Sequence, residues 1–504
     1  MSLAPLAEEA VIPRISMMKS VDELRAHLES LGLTSQLPMD DVPLAASHDS
    51  PMNRPIELFG KTLANRWCVH PMEGWDGEPD GKPSEWVHRR WRHFGESGAA
   101  LIWGGEAYAI VPEGRANPRQ LCWRPENEDA TRQLFETLVG AHRVRFGAMS
   151  ADSLVTGLQL THSGRFCKPY AGKGLQPRIA CHHPLLDARF GIASDDDSPI
   201  LSDDELRQLV DQYAVVARMA QRIGFDFVDL KACHGYLGHE MLSAFDRPGP
   251  YGGDFFGRTR FLCEIVEAVQ AAAPRLGIGV RLSLFDMPPF VPNPETTVRG
   301  ENGRVKRFGR GIPVDFSTPY SGFGCQRDDP LTMDLAEPIR LLEMLRDRYD
   351  VRLFNLSAGS PYYNPHVTRP ALVPPSDGYR PPEDPLVGVA RQIGAVRRVK
   401  EAVPDVLTVG SGYTYLQEYL PHVAQNVVRW EWTDFVGFGR LVLCYHDFVD
   451  DLMAGRPLDS KKICRTFSDC TTAPRGGLVS GCYALDPDYR MLPDAESLRR
   501  MKRG

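Results

Sequence analysis

Three polar side chains, Lys231, His234 and Tyr236, follow directly on the short apolar run Phe225-Asp-Phe-Val-Asp-Leu230. A run of that length and composition reads as a buried strand, so the three groups stand where a strand gives way to a loop. An ammonium and an imidazole placed there are donors that can hold an oxygen and stabilise negative charge as it develops. A phenol, with an ordinary pKa of about 10, can protonate a carbanion as it forms. A plain loop is the competing reading, in which Lys231 reaches solvent along its stem and His234 and Tyr236 are ordinary half-buried residues. Two glycine-bearing loops come later, Gly410-Ser411-Gly412 and Gly437-Phe-Gly439-Arg440, each after an apolar run. Backbone N–H groups in such loops can hold a phosphate at a helix N-terminus. A dinucleotide fingerprint is excluded for the first, because its third glycine falls on Tyr415. A metal-hydrolase site of His234, His239 and Glu240 is disfavoured, because residues five apart do not share a helical face.

Stepping from these residues to the elements that must carry them, the chain alternates strands and helices. Strands are expected at Trp67–His70, closed by Pro71, at Ala99–Trp103, which runs into Gly104-Gly105-Glu106, and at Leu154–Thr161. The central run at Phe225–Leu230 follows, then Ile278–Leu282, Leu353–Leu356, Leu407–Val409 and Asp434–Phe438. Amphipathic helices are expected over Glu128–Phe146, with Leu134, Leu138, Ala141 and Val144 on one face, and after Ser202. Ser202 and Glu205 make a capping box and Gly224 a stop, while Leu206, Leu209, Val210, Tyr213 and Ala217 keep one face. A further helix is expected over Arg258–Ala273 and another around Leu416–Val423. Eight alternations are the count of a closed (β/α)8 TIM barrel, whose catalytic groups sit at the strand ends facing the loops. Two glycine-bearing loops after strands seven and eight, with Arg440, then match the phosphate site common in such barrels.

The predicted organisation is an N-terminal extension over residues 1–55, a barrel over 56–455 and a C-terminal tail over 456–504 bearing Cys464, Cys470 and Cys482. In the extension, Ser20 to Glu23 reads as a capping box opening a helix that Gly32 ends. Residues 166–200 and 285–335 are long insertions with little periodicity. The net charge of −7 is spread without a basic block, which argues against nucleic acid. No apolar run approaches ~18 residues, so no membrane partner is expected. Eleven scattered cysteines and no basic-then-apolar leader point to reduced thiols and a cytoplasmic location. Whether the chain forms a homo-oligomer is left open.

The stretch from Gly224 to Phe261, with Tyr251-Gly-Gly253 and Arg258-x-Arg260-Phe261, resembles the Old Yellow Enzyme family of FMN-dependent oxidoreductases. Two departures stand out: the family's first histidine of the strand-four motif is Lys231, and the asparagine before Arg258 is Gly257. The resemblance extends over roughly residues 55 to 455 and implies roles residue by residue. Pro71 and Met72 would lie beside a flavin, with Glu73 where the family has a small residue. Gly105 would lie beside the ring, Gln159 would bind its pyrimidine edge, and Arg281 would stand near its N1–O2 side. Gly410, Ser411, Gly412, Gly439 and Arg440 would hold the FMN phosphate. The implied reaction is reduction of an activated, α,β-unsaturated alkene with NAD(P)H as electron donor. Lys231 and His234 would bind the electron-withdrawing or anionic group of a small-molecule substrate, and Tyr236 would protonate carbon. For Lys231 two ionic partners are open, Glu73 or the substrate, and the substrate is favoured.

The tail resembles that of the branch containing dienoyl-CoA reductases and amine dehydrogenases, without the branch's C-terminal FAD/NAD domain. That branch carries an iron–sulfur cluster on four cysteines, whereas here Phe467 occupies the second cysteine position. Three remnant thiols, Cys464, Cys470 and Cys482, are therefore expected in preference to an intact cluster. The alternatives to an alkene reductase are an FMN-dependent dehydrogenase or demethylase of the amine-dehydrogenase type, and a flavin-binding subunit without catalysis.

Overall fold

A computed structural model describes residues 6–503 apart from 8, 302, 304 and 377. Eight parallel strands close on themselves: β1 (Trp67–Val69), β2 (Leu101–Ile102), β3 (Val155–Thr161), β4 (Phe227–Ala232), β5 (Gly277–Ser283), β6 (Leu353–Ser357), β7 (Leu407–Gly410) and β8 (Phe435–Phe438). Each pairs with its neighbour in sequence, β8 pairs with β1, and β2 pairs with β3, so no edge is left open. The short run Ala107–Ala109 extends the β3 ladder. Helices α1 (Glu85–Gly95), α2 (Glu128–Phe146), α3 (Asp203–Ile223), α4 (Phe255–Ala272), α5 (Ala336–Tyr349), α6 (Pro385–Ala402), α7 (Leu420–Arg429) and α8 (Phe448–Met453) follow the strands and surround them. The protein is a TIM barrel.

Local sequence accounts for the element ends. Ser202 caps α3 and Glu205 returns the bond, while Gly224 ends the helix at φ 110°. In the helix Val21–Ser30 the box is only half made: Ser20 accepts from the Glu23 N–H, but Glu23 accepts from the Lys19 N–H instead. The expected face of α2 is corrected too. Leu134 and Leu138 are buried with Thr131 and His142, whereas Val144 is 89% exposed. After Gly412 the chain forms a 3-10 turn over Tyr413–Tyr419, bent at Gln417, before α7 begins.

The extension and the tail pack into the barrel. Leu24, Leu28, Leu33, Leu37 and Met52 are buried in the main core. The hairpin Ile56–Leu58/Lys61–Leu63 places Leu58 and Leu63 with Trp103, Phe227, Leu353 and Phe435 in a second apolar cluster drawn from the start of the strands. Burying this apolar surface closes the N-terminal end of the barrel and leaves its C-terminal end for polar groups. The first insertion holds 3-10 turns and a bridge between Ile179 and Ile200, and the second forms two small antiparallel ladders. The tail is clamped by Arg89, which donates 2.9 and 3.2 Å bonds to the two oxygens of Asp486.

Candidate active site

Parallel register sets the first layer of the site. β3 and β4 pair Gln159 with Asp229, and β4 and β5 pair Lys231 with Arg281. Residues paired across a ladder point to the same face, so these four side chains share one end of the barrel interior. There they meet a cavity of about 230 Å³, measured as the space open to the centre of a water molecule. Its wall includes Pro71, Met72 and Glu73 after β1, Gln159 from β3, Lys231 and His234 from β4, Arg281 from β5, and Ser411, Gly412, Gly439 and Arg440 after β7 and β8. Residues the sequence reading did not single out complete it: His70, Trp75, Arg90, Ser357, Tyr362, Arg369 and Arg475. Their signal in the sequence is thin, because Tyr362 and Arg369 come from the segment after β6 and Arg475 from the tail helix Asp469–Arg475, which only the folded barrel brings over its mouth.

Asp229, buried beneath this layer, accepts from Gln159 Nε2 and from the Arg281 backbone N–H at 2.7 Å. Burial still dominates, and pushes its carboxyl up to about 6. Arg281 Nη1 donates 3.3 Å to the Pro71 carbonyl, while its buried Nε has no partner. His70 is held neutral by burial and by the nearby Arg281 charge. Its Nδ1 lies 3.0 Å from Asn355 Nδ2 and its Nε2 3.2 Å from Ser411 Oγ. Asn355 is a donor there, so His70 carries its proton on Nε2 and donates to Ser411, leaving the Ser411 hydroxyl proton for another acceptor. Close approach of strand ends requires glycine at 437: a Cβ would sit 2.1 Å from the His70 ring and 2.8 Å from the Gly410 carbonyl.

Around Glu73 the groups form one network. Its carboxylate accepts from Tyr236 Oη at 2.8 and 2.9 Å, from Trp75 Nε1 at 2.8 Å and from Lys231 Nζ at 3.2 Å. Lys231 Nζ also lies 3.7 Å from the Tyr236 ring centroid, a cation–π contact. Tyr236 and Tyr362 hydroxyls are 2.7 Å apart. Burial, followed by the Glu73 charge, keeps Tyr236 well above the ordinary phenol range. His234 adopts φ 65°, a strained backbone for a non-glycine residue. It is held there by its N–H to Ser283 Oγ (3.1 Å) and its carbonyl to Ser360 Oγ (2.8 Å). Its Nε2 lies 3.0 Å from Ser357 Oγ, and burial with the Arg281 and Lys231 charges keeps the ring neutral.

Four placements differ from the sequence reading. Gly105 is absent from the cavity wall; a Cβ there would strike the Trp91 ring at 2.5 Å, and its carbonyl accepts the Met72 N–H at 2.9 Å. Its role is to let the loop after β1 pack. Tyr236 is fully buried behind Glu73, and Tyr362 stands on the wall in front of it. Of the two partners open to Lys231, the fold forms the ion pair with Glu73. Gly410 also stays off the wall, packed under Tyr413. Another bracket was missed: Arg90 Nε donates 2.8 Å to Glu106, and its Nη2 donates 2.7 Å to Asp76. Glu106 in turn accepts the Gly74 N–H at 3.0 Å, which fixes the loop carrying Glu73. His239 and Glu240 are engaged away from His234, with the Gly235 N–H and Arg165 respectively.

The donor set suits a flavin mononucleotide. Unpartnered buried nitrogens of Arg281 and Arg440, the Ser411 hydroxyl, and a glycine-lined strand end all face one cavity. In the tail, the Cys444 thiol is in hydrogen-bond contact with the sulfurs of Cys464 and Cys482. That contact holds the Cys464 thiol down at about 6 despite its burial, and burial lifts Cys470 to about 12. Cys444, which leaves β8 only six residues after Phe438, was not part of the expected set.

Residues 51–289 match the sequence model of the NADH:flavin oxidoreductase / NADH oxidase family. An NADPH dehydrogenase of Bacillus subtilis is 31% identical over 225 residues, 43% of this chain and 59% of that protein. A putative 12-oxophytodienoate reductase 2 of Oryza sativa is 35% identical over 147 residues, 27% of this chain and 38% of that one. The matches to curated NADPH dehydrogenases thus span under two thirds of those proteins' length. Among solved structures, a histamine dehydrogenase from Rhizobium sp. 4-9 has TM-score 0.58 at 19% identity, covering 87% of this chain and 52% of that one. A 2-naphthoyl-CoA reductase has TM-score 0.58 at 15% identity, covering 87% and 57%. At such identities these likenesses speak to the barrel alone.

Proposed function

We propose that the chain is an FMN-dependent reductase of an activated alkene, with NAD(P)H as electron donor, a reading supported by the match of residues 51–289 to the NADH:flavin oxidoreductase / NADH oxidase family and by the likeness to an NADPH dehydrogenase. Bound FMN would supply hydride to the alkene carbon. Arg281 and Gln159 would hold the flavin's polar edge. Ser411, Gly412, Gly439 and Arg440 would hold its phosphate, with His70 fixing the Ser411 hydroxyl.

The observation that carries the reading is the convergence at the end of β4. A neutral imidazole and a chain of two phenols ending on a carboxylate open on the same cavity as Arg281 and Gln159. His234 is positioned to donate to a substrate carbonyl or nitro oxygen, where charge develops as hydride arrives. Tyr236 holds the proton for the neighbouring carbon. Because Tyr362 stands between it and the cavity, the proton passes through the 2.7 Å Tyr236–Tyr362 contact.

Chromatography of the released cofactor comes first, with FMN expected; FAD, or no flavin after reconstitution, overturns the proposal. Anaerobic mixing with NADH and with NADPH is expected to bleach the flavin. A panel of enones, enoyl thioesters and nitroalkenes is expected to reoxidise it. If the oxidised flavin is instead bleached by amines, and no alkene reoxidises it, the dehydrogenase alternative replaces this one.

A further inference from the structure

Away from the cavity, the last turn of α1 meets the chain leaving β8. His93 and Glu96 stand three residues apart there, so they share one face at the end of the helix. Beyond β8, the 3-10 turn Arg440–Leu443 delivers Tyr445 into the core and leaves the next residue, His446, half-buried against that face. The imidazoles of His93 and His446 stack, with centroids 4.2 Å apart and planes 12° from parallel. His446 Nε2 lies 3.9 Å from Glu96 Oε2 and 3.3 Å from Asp447 Oδ1. One ligand atom from each of His93, Glu96 and His446 falls within 4.8 Å of the other two. Asp447 Oδ1 is buried and accepts no hydrogen bond, although Arg145 Nη2 is only 3.2 Å away. Burial, helped by neighbouring charges, holds His93 down at about 3, and burial lowers His446 as well. Both rings are therefore neutral at pH 7, and each has a lone pair to offer. Two neutral imidazoles beside two carboxylates, one with a buried oxygen short of a hydrogen bond, form a donor set for a cation.

We propose that His93, Glu96 and His446 bind a divalent metal ion of the zinc class, with Asp447 the carboxylate in reach of the fourth position. Two imidazole nitrogens with two carboxylate oxygens suit zinc, and cobalt in its place. Bonds of about 2.0–2.2 Å put tetrahedral ligand atoms about 3.4 Å apart. The side chains must therefore draw together, and the two rings must tilt out of their stack. They have room to do so, because His446 and Glu96 are 31% and 26% exposed. Arg145 and Lys462 are the cations beside Asp447, and carboxylates already hold both: Asp447 and Asp450 the first, Asp447 the second. Binding is coordination alone, in which the ion exchanges waters for the protein ligands and no electron moves. The ion would clasp α1 to the exit of β8. One turn before His93, the same helix carries Arg90, whose bonds to Glu106 and Asp76 brace the loop bearing Glu73. The role is structural, and it depends neither on the flavin reading nor on the substrate.

Cobalt(II) is the probe, because its spectrum reports its ligands. The full chain with its flavin, freed of other metals by a chelator, is titrated with Co2+ and followed by calorimetry and by absorption at wavelengths beyond the flavin's. One Co2+ per chain is expected at this site, with weak ligand-field bands and without an intense sulfur-to-metal charge-transfer band. Zn2+ is expected to displace it and to raise the thermal transition. His93→Ala and His446→Ala are each expected to weaken binding by at least about 10-fold while keeping their flavin. Glu96→Gln, on a half-exposed side chain, is the variant to use if the histidine variants do not fold, and the same loss is expected of it. No bound Co2+ overturns the site. A sulfur charge-transfer band as the sole signal places the ion on cysteines and overturns it too, as does binding unchanged in the variants that fold.

Discussion

Lys231 Nζ lies 3.2 Å from Glu73 Oε2, joining the end of β4 to the loop after β1 across the barrel interior. Their side chains are 4% and 14% exposed, and the same carboxylate holds Tyr236 and Trp75. An ammonium in this place has an anionic partner before any substrate arrives. Glu73, the unusual residue after Pro71-Met72, and Lys231, the unusual residue at the end of β4, are thus explained by one another. Removing either alone strands a buried charge.

Lys231→Met is therefore expected to destabilise the fold by about 3 kcal/mol. Lys231→Met/Glu73→Gln should recover part of that loss. Denaturant midpoints of the two single variants and the double variant give the coupling. Flavin reduction by nicotinamide should persist in Lys231→Met, since the ionic partner of the lysine is Glu73. Equal stability of all four proteins would show that the pair contributes nothing.

Tyr236→Phe and Tyr362→Phe should each slow alkene-dependent flavin reoxidation by about 100-fold, the scale of a lost general acid. Reduction by NADPH should hardly change. Rapid mixing of each half-reaction separates the steps. If Tyr362→Phe is as fast as the unaltered chain, the proton does not travel through Tyr362.

Asp229 gives a stability signature in pH. Its folded carboxyl is raised to about 6 from an ordinary 3.8, chiefly by burial. The folded state then holds more protons than the unfolded one between those values. The stabilising contribution is full below pH ~4 and is lost as pH rises through about 6, a change of about 3 kcal/mol. Asp229→Asn should remove that part of the pH dependence. Chemical denaturation at pH 4.5 and pH 7 measures it; an identical slope in both proteins would show that Asp229 does not titrate there.

Gly437→Ala places a methyl group against the His70 ring and the Gly410 carbonyl. It should cost about 2 kcal/mol of stability and displace His70 from Ser411, so the purified variant should carry less flavin. Flavin per chain and the thermal transition are the readouts. Full flavin content would place the phosphate site elsewhere.

The alternation of apolar runs and amphipathic segments was enough for the eight strands and the barrel, because a closed parallel sheet buries both faces of every strand and writes that burial into the sequence. Gln159, Lys231, His234, Arg281, Ser411 and Arg440 line the cavity at the ends of strands whose positions periodicity locates, while the roles expected of Gln159 and Arg281 came from the family resemblance and not from the pattern. What the tertiary structure decided lies in contacts between distant segments. Tyr362 reaches the cavity from a loop with no period, and Arg475 from the short tail helix Asp469–Arg475. Val144 turned to solvent because the helix stripe ran through Thr131 and His142 instead. Glu73 and Lys231, 158 residues apart, became partners only through barrel closure. Cys444 carries no motif with the tail cysteines; its sulfur joins theirs because β8 ends where the tail returns, and that proximity is a property of the fold and not of spacing along the chain.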